Sequence, residues 1–177
     1  MGTLGAGYDQ IDIAVCTAKG IRVSNVPTAV NDATADISMF LIIGALRNFN
    51  FGMMALRRNE FRESIAMGHD PEGKILGILG MGGIGRNLKR KAEAFSMRVQ
   101  YHNRKRLPED QEAGAKYVSF DELLATSDVL SLNLPLNVSS LLCGCTRGTG
   151  CEVGKWVSNT TDSAGLTGTY SPHNLNE

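Results

Sequence analysis

The sequence predicts an α/β protein built on a partial doubly wound parallel sheet. From Lys74 to Leu79 the chain forms a continuous apolar run, which is typical of a strand covered on both faces. A glycine-rich turn follows that run, and an amphipathic helical pattern follows the turn. Strand and helix patterns then alternate up to residue 134, which is the rhythm of a parallel sheet with crossover helices.

The later elements of the sheet have ordinary start and stop signals. Further strands are expected over 98–103, 116–119 and 129–134, and Pro135 ends the last of them. An apolar stripe predicts the helix between the first two strands, through Ile84, Leu88, Ala92 and Phe95. Ser119 and Glu122 form a capping box for a helix before the fourth strand.

Two helices are expected ahead of the sheet. The longer one opens at Asn31 and Asp32, reaches Arg47 and is apolar on most sides near its end, which predicts burial against a large surface. The shorter one is capped by Asp9. A short strand over 21–25 and a more polar helical stretch over 54–64 complete this part.

The last 40 residues have a different character. Of these residues, 17 are Ser, Thr or Gly, and no apolar period survives beyond a few positions, so little apolar surface offsets the entropy of ordering. Three cysteines lie here, but Cys143, Cys145 and Cys151 lack the paired spacing of zinc ligands, and we expect no metal. We therefore expect an irregular tail over 138–177.

The composition excludes several classes of partner. Of the 177 residues, 42% are hydrophobic, and Lys+Arg and Asp+Glu number 18 each. Because the charges balance, no net field attracts nucleic acid or an anionic membrane. No apolar run approaches the roughly 20 residues that span a bilayer. The N-terminus has no signal-peptide pattern, so a cytoplasmic location is expected.

The glycine-rich turn carries the first functional signal. Gly80, Gly82 and Gly85 form a G-x-G-x-x-G pattern between a strand and a helix, which is the context of a Rossmann dinucleotide-binding turn. The first glycine permits the tight turn, the second lets backbone approach a pyrophosphate, and the third lets helix pack on strand. The N–H groups of Gly83 and Ile84 then face the phosphates at the positive end of the helix dipole.

The end of the second strand bears on the type of cofactor. An NAD site usually has an acidic residue there, but this chain has Asn103 followed by Arg104, Lys105 and Arg106. An amide followed by three cations suits a 2′-phosphate, which Arg could bind bidentately. We therefore favour NADP over NAD, and a solvated basic loop remains the alternative.

Several longer segments then resemble a known family. They are Gly5-Ala-Gly-Tyr-Asp-Gln-Ile-Asp12, Val23-Ser-Asn-Val-Pro27 with Ala29-Val30, Ala33-Thr-Ala-Asp36, residues 73–86 around the glycine pattern, and Asp128-Val-Leu-Ser-Leu-Asn-Leu-Pro-Leu-Asn137. In this order the chain resembles the D-isomer-specific 2-hydroxyacid dehydrogenases, particularly the glyoxylate/hydroxypyruvate reductase branch. The resemblance runs over residues 4 to 137.

The resemblance implies a two-domain fold in which a Rossmann domain, here 27–137, is inserted into a substrate domain made from both chain ends. Residues 1–26 would be a remnant of the substrate domain, and the backbone N–H groups of Ala6 and Gly7 would hold the carboxylate of a 2-keto or 2-hydroxy acid. Pro135 is placed among the cofactor-binding residues. The helix from Asn31 would link the domains, and family members are usually homodimers.

The resemblance also implies hydride transfer between a nicotinamide and an acid such as glyoxylate or hydroxypyruvate. The family's catalytic arginine, its acidic partner and its histidine belong after Asn137, where the likeness stops, so no catalytic residue is carried over; neither Arg147 nor His173 has the family pattern around it. We therefore expect a chain truncated at both ends. A nucleotide-binding module or a non-functional product remains the alternative. Without the family's flanking strands, the outer edge of the fourth strand is expected to be unpaired.

Overall fold

The computed structural model describes residues 1–60 and 66–135, together with the backbone of two short strands at 156–158 and 169–170. Its strands are β1 (Ile75–Leu79), β2 (Arg98–His102), β3 (Lys116–Tyr117), β4 (Val129–Leu132), β5 (Trp156–Ser158) and β6 (Thr169–Tyr170). They form one sheet in the order β3-β2-β1-β4-β5-β6. Strands β1 to β5 are parallel and β6 is antiparallel, so the expected parallel sheet is confirmed.

The helices of the described residues are α1 (Ile13–Ala18), α2 (Asn31–Leu46), α3 (Phe49–Arg57), α4 (Gly83–Ala94), α5 (Glu109–Glu112) and α6 (Phe120–Thr126). The capping box before α6 is confirmed on its serine side, because the Ser119 hydroxyl accepts a hydrogen bond from the N–H of Glu122 at 3.1 Å. The single turn α5 was not expected from the sequence.

Some local expectations for the first 60 residues were wrong. The side chain of Asp12, and not that of Asp9, caps α1 by accepting a hydrogen bond from Val15 N at 2.9 Å. The stretch 21–25 forms no strand beyond an isolated bridge between Ser24 and Gly2. Helix α3 begins at Phe49 and ends at Arg57, so residues 58–60 of the stretch expected to be helical over 54–64 are not in a helix; 61–65 lie outside the described residues.

The core lies on both faces of β1, because successive side chains of a strand point to opposite faces. Leu76 and Ile78 pack with the buried faces of α2 and α4, while Leu79 packs with Leu123 of α6. Residues of the larger cluster include Ala35, Met39, Ile42, Leu88, Ala92, Tyr101 and Val129. The sheet is therefore covered by α2 and α4 on one side and by α6 on the other.

Helix α2 is tied to α4 by charge as well as by packing. The Lys91 ammonium lies 2.6 Å from a carboxylate oxygen of Asp36 and 3.1 Å from one of Asp32. Hydrogen bonds from Lys91 to Asp36 and Asp32 raise the pKa of this lysine.

No single helix in the described parts of the chain is long and apolar enough to cross a membrane; α2 and α3 meet that test only as a pair bent by 69°.

The expectation of an unpaired edge beyond the fourth strand was wrong. Strand β5 pairs with β4 in parallel, with Leu130 opposite Trp156 and Leu132 opposite Ser158. The polar composition of residues 138–177 hid these short strands, because three residues are too few to show an alternating pattern. The other residues expected to form an irregular tail, and the cysteines at 143, 145 and 151, lie outside the described residues.

The core position of Ile78 gives a test of the fold. Its side chain is 0% exposed between the sheet and the helices, so Ile78→Ala should leave a cavity and lower the free energy of unfolding by about 2–5 kcal/mol. The matched variant Ile21→Ala removes the same atoms from a side chain that is 45% exposed, and should cost less than about 0.5 kcal/mol. Urea unfolding followed by circular dichroism measures both, and equal losses would contradict the packing described.

Candidate functional site: the turn between β1 and α4

The turn that leaves β1 depends on a glycine at its first position. Gly80 has a φ of +95°, in the left-handed region that L side chains rarely adopt. A Cβ atom there would lie 2.6 Å from the carbonyl oxygen of Asn133, which follows β4. The N–H of Gly80 donates to the carbonyl of His102 at 3.0 Å, so the turn stays bonded to the end of β2.

The third glycine of the pattern brings helix and strand into direct contact. A Cβ atom at Gly85 would lie 2.8 Å from the carbonyl oxygen of Gly80 and 3.1 Å from Cγ2 of Ile78. A real side chain would therefore force α4 away from β1. The spacing of the glycines predicted this close packing of the helix on the strand.

The second glycine opens the site to a ligand. A Cβ atom at Gly82 would meet no protein atom within 4 Å, so the space above this backbone is free for another molecule. The first helical hydrogen bond of α4 runs from Arg86 N to Gly82 O at 3.0 Å. No described residue accepts a hydrogen bond from the N–H groups of Gly83, Ile84 or Gly85. Three unpaired donors at the positive end of a 12-residue helix are the right chemistry for a pyrophosphate.

Helix α2 contributes a residue that the sequence did not indicate. The side chain of Asn31 lies against Gly83, where a Cβ atom would come within 2.3 Å of Asn31 Nδ2. The polar character of Asn31 was interpreted as a helix cap, and nothing in its sequence neighbourhood pointed to the glycine turn. A side chain at Gly83, which is one of the variable positions of the G-x-G-x-x-G pattern, would therefore have to displace the Asn31 amide.

Asn103 connects the glycine turn to the loop that follows β2. Its Oδ1 accepts a hydrogen bond from the N–H of Met81 at 2.7 Å, and its carbonyl accepts one from the Tyr117 hydroxyl at 3.2 Å. The structure therefore brings Asn103 next to the glycine turn. The turn uses one of the two acceptor positions of the amide oxygen, and the amide nitrogen has no hydrogen-bond partner among the described residues.

The three cations after Asn103 do not behave alike. Arg104 and Lys105 are exposed, and neither has a hydrogen bond or ion pair with another described residue. Arg106 instead donates two hydrogen bonds to Glu112, from Nε at 2.7 Å and from Nη2 at 2.9 Å. Arg106 therefore has a bidentate partner within the protein, unlike the two cations before it.

Glu112 is buried at 5% exposure although it carries a charge. Hydrogen bonds from Arg106 and then from the Tyr101 hydroxyl, which lies 2.6 Å away, lower the pKa of Glu112 to about 2. Burial raises the pKa of Tyr101, and the hydrogen bond to Glu112 adds to that shift. The carboxylate therefore stays ionised at neutral pH, and the pair persists.

The side chain of His102 lies on the face of β2 opposite to that of Tyr101. Its Nδ1 lies 2.8 Å from the carbonyl oxygen of Val118, and its ring stacks on Tyr117 at 5.7 Å between centroids. Phe120 contacts the same ring edge-on at 6.0 Å. The ring therefore belongs to the packing around β3.

The remaining residues that the sequence predicted for the site lie after the end of β4 and in the N-terminal segment. Pro135 is exposed shortly after β4, three residues beyond its last residue, Leu132. The N-terminal loop is fixed by Asn25, whose amide donates to Ala6 O at 2.8 Å, and no described residue accepts from the N–H groups of Ala6 or Gly7. Asn133, which the sequence analysis did not single out, has the one buried side-chain oxygen without a partner in the described part of the chain.

A glycine turn with free helix-end amides, set between adjacent parallel strands, defines a dinucleotide-binding domain. Comparison with known proteins agrees, because residues 39–140 match the model of the D-isomer specific 2-hydroxyacid dehydrogenase NAD binding domain. This chain belongs to the D-isomer specific 2-hydroxyacid dehydrogenase family, whose members are oxidoreductases that use a nicotinamide cofactor.

Curated relatives and solved structures support the same assignment. A 4-methyl-2-oxopentanoate reductase A of Aspergillus oryzae is 60% identical over 136 residues, which are 77% of this chain and 41% of the relative. Glyoxylate reductase 1 of Saccharomyces cerevisiae is 46% identical over 139 residues, covering 75% and 40%. The crystal structure of a glyoxylate reductase from Paecilomyes thermophila superposes with a TM-score of 0.72 at 59% identity, covering 77% and 42%. The chain thus spans about two fifths of the length of these relatives.

The open space above Gly82 allows a direct test of the site. A Cβ atom at Gly82 would meet no protein atom within 4 Å, so Gly82→Val should fold, but its side chain would fill the space for the pyrophosphate and abolish nucleotide binding. Titration calorimetry with NADPH and with NADH measures the loss. Gly52→Val, at another open position in α3, is the matched control and should bind normally. A folded Gly82→Val protein with unchanged affinity would contradict the assignment of the turn.

Proposed function

We propose that the chain binds NADP(H) in preference to NAD(H). The observation that carries this proposal is the pair of exposed cations, Arg104 and Lys105, which have no partner among the described residues. They directly follow Asn103, which contacts the phosphate-facing turn. A 2′-phosphate at the adenosine end of the nucleotide would meet a guanidinium suited to bidentate binding, and the position directly after β2 holds Asn103 and not a carboxylate.

We further propose that the bound nicotinamide serves the interconversion of 2-keto and 2-hydroxy acids. Relatives named for glyoxylate and for 4-methyl-2-oxopentanoate act on acids of different size that share a carboxylate beside a carbonyl. The unpaired N–H groups of Ala6 and Gly7 suit such a carboxylate, since backbone donors bind anions without regard to the rest of the molecule.

No catalytic residue is proposed among the described parts of the chain. Of the two histidines there, His69 is exposed in the loop before β1, and His102 packs beside β3. The alternative function, a module that binds nucleotide without turnover, is therefore kept beside the first. A purified chain that binds NADPH but does not oxidise it with glyoxylate or hydroxypyruvate would favour the module.

The setting of this activity is proposed to be cytoplasmic. The balanced charge of 18 basic and 18 acidic residues supports a small-molecule partner over nucleic acid or a membrane surface. Cys16, the cysteine within the described residues, is a free thiol, as is usual in a reducing compartment.

The cofactor preference is tested by removing one cation. Arg104→Ala should weaken NADPH binding by about 1.5–3 kcal/mol, the range for hydrogen bonds to charged groups, and should leave NADH binding nearly unchanged. The control Arg57→Ala removes another exposed arginine, at the end of α3, and should affect neither nucleotide. Equal losses for NADPH and NADH in Arg104→Ala would show that this residue does not bind the 2′-phosphate.

A homodimer is also proposed, through the exposed faces of α2 and α3. Monomers rarely expose contiguous apolar patches larger than a few hundred Å². The helices nevertheless expose a group of large apolar side chains: Ile37, Phe40, Phe49, Phe51, Met53, Met54 and Leu56. A second copy of the chain is the partner that would cover this face.

Sedimentation velocity tests the dimer. The chain should sediment as a dimer, and Phe40→Asp should sediment as a monomer, because a carboxylate in an apolar interface carries a large desolvation cost. Phe95→Asp alters a comparably exposed phenylalanine at the end of α4 and should remain dimeric. A wild-type monomer at all concentrations would overturn the proposal.

A further inference from the structure

The segment between β2 and α5 is fixed although it has no regular secondary structure. It runs from Asn103 to Pro108 and carries the two cations proposed to bind the 2′-phosphate. Its first residue is held at the glycine turn by Asn103. Its far end is held by Arg106 and Leu107, and both of these contacts lead to one buried carboxylate.

That carboxylate is Glu112. It accepts two hydrogen bonds from Arg106 and one from the Tyr101 hydroxyl at 2.6 Å. The same hydroxyl oxygen accepts a hydrogen bond from the N–H of Leu107 at 3.1 Å. Tyr101 is itself 0% exposed in β2, so the network is anchored in the core.

Glu112 is in turn fixed by α4, the helix that faces the phosphates. A single turn such as α5 is not stable alone, because helix nucleation costs more than one hydrogen bond returns. The nearly buried Lys89 of α4 donates to the Ala113 carbonyl at 2.6 Å and pairs with Glu93 at 2.7 Å. Contacts therefore run without a break from α4 through α5 to the cation-bearing segment.

We propose that Glu112 is a positioning residue for cofactor discrimination, which fixes Arg106 and Tyr101 so that Arg104 and Lys105 are presented to the 2′-phosphate. This inference rests on the NADP preference proposed above. Glu112 acts through its neighbours, and its own charge is satisfied by Arg106, so it does not repel the phosphate. The segment is ordered before the nucleotide arrives, and the ordering cost of two long cationic side chains is reduced.

The test compares the 177-residue chain with Glu112→Gln. Titration with NADPH and NADH should show that the variant loses about tenfold in affinity for NADPH, with NADH little changed, because only the 2′-phosphate contacts Arg104 and Lys105 in the proposed role. Amide hydrogen exchange should become faster over 103–107, and should stay unchanged in β1 and α4. The control Glu109→Gln removes an exposed carboxylate from the same turn and should change none of these measurements.

The possible outcomes distinguish a failure of this proposal from a failure of the NADP preference on which it rests. A wild-type chain that binds both nucleotides equally would overturn the NADP preference, and the positioning role with it. A discriminating wild type whose Glu112→Gln variant keeps the same NADPH-to-NADH ratio, or gains NADPH affinity through a released Arg106, would overturn the positioning role alone. If Glu112→Gln does not fold, Tyr101→Phe decides: it removes the hydroxyl and keeps the ring, and an unchanged ratio there would refute the proposal.

Discussion

The contact between the first turn of α4 and the end of β1 is the constraint on which the site depends. Backbone meets backbone there, since a Cβ atom on Gly85 would lie 2.8 Å from the oxygen of Gly80. This approach aims the dipole of α4 and its unpaired N–H groups past the end of β1. It also lets Leu88 and Ala92, further along α4, reach the core. A side chain at Gly85 would disturb packing and phosphate binding together.

Two polar connections extend this geometry to the neighbouring loop. Asn103 joins the residue after β2 to Met81 of the glycine turn, and Glu112 joins the far end of the same loop to the core. Both connections use groups that are costly to leave unpaired once buried. The glycine turn, which we propose contacts the phosphates, and the loop that carries Arg104 are therefore fixed relative to each other.

The sequence predicted what local patterns determine, and it missed what depends on distant partners. The strand, glycine turn and helix from Lys74 to Ala94 could be predicted because each step has its own signal in consecutive residues. The pairing of Arg106 with Glu112 could not be predicted, because a basic run has the same appearance whether its members are solvated or paired. Asn31 against Gly83 is a contact between residues more than fifty positions apart, with no periodicity to indicate it.

The residues of this chain bear differently on specificity for the acid and on specificity for the nucleotide. In the roles that we propose, Ala6 and Gly7 offer backbone N–H groups to a carboxylate, which glyoxylate and 4-methyl-2-oxopentanoate have in common. Such donors cannot distinguish the side chains in which those acids differ, because they contact only the shared group. NADPH differs from NADH by one phosphate, and the cations that would meet this phosphate lie within 103–108. In the roles that we propose, discrimination between NADPH and NADH therefore rests on residues that this chain contains.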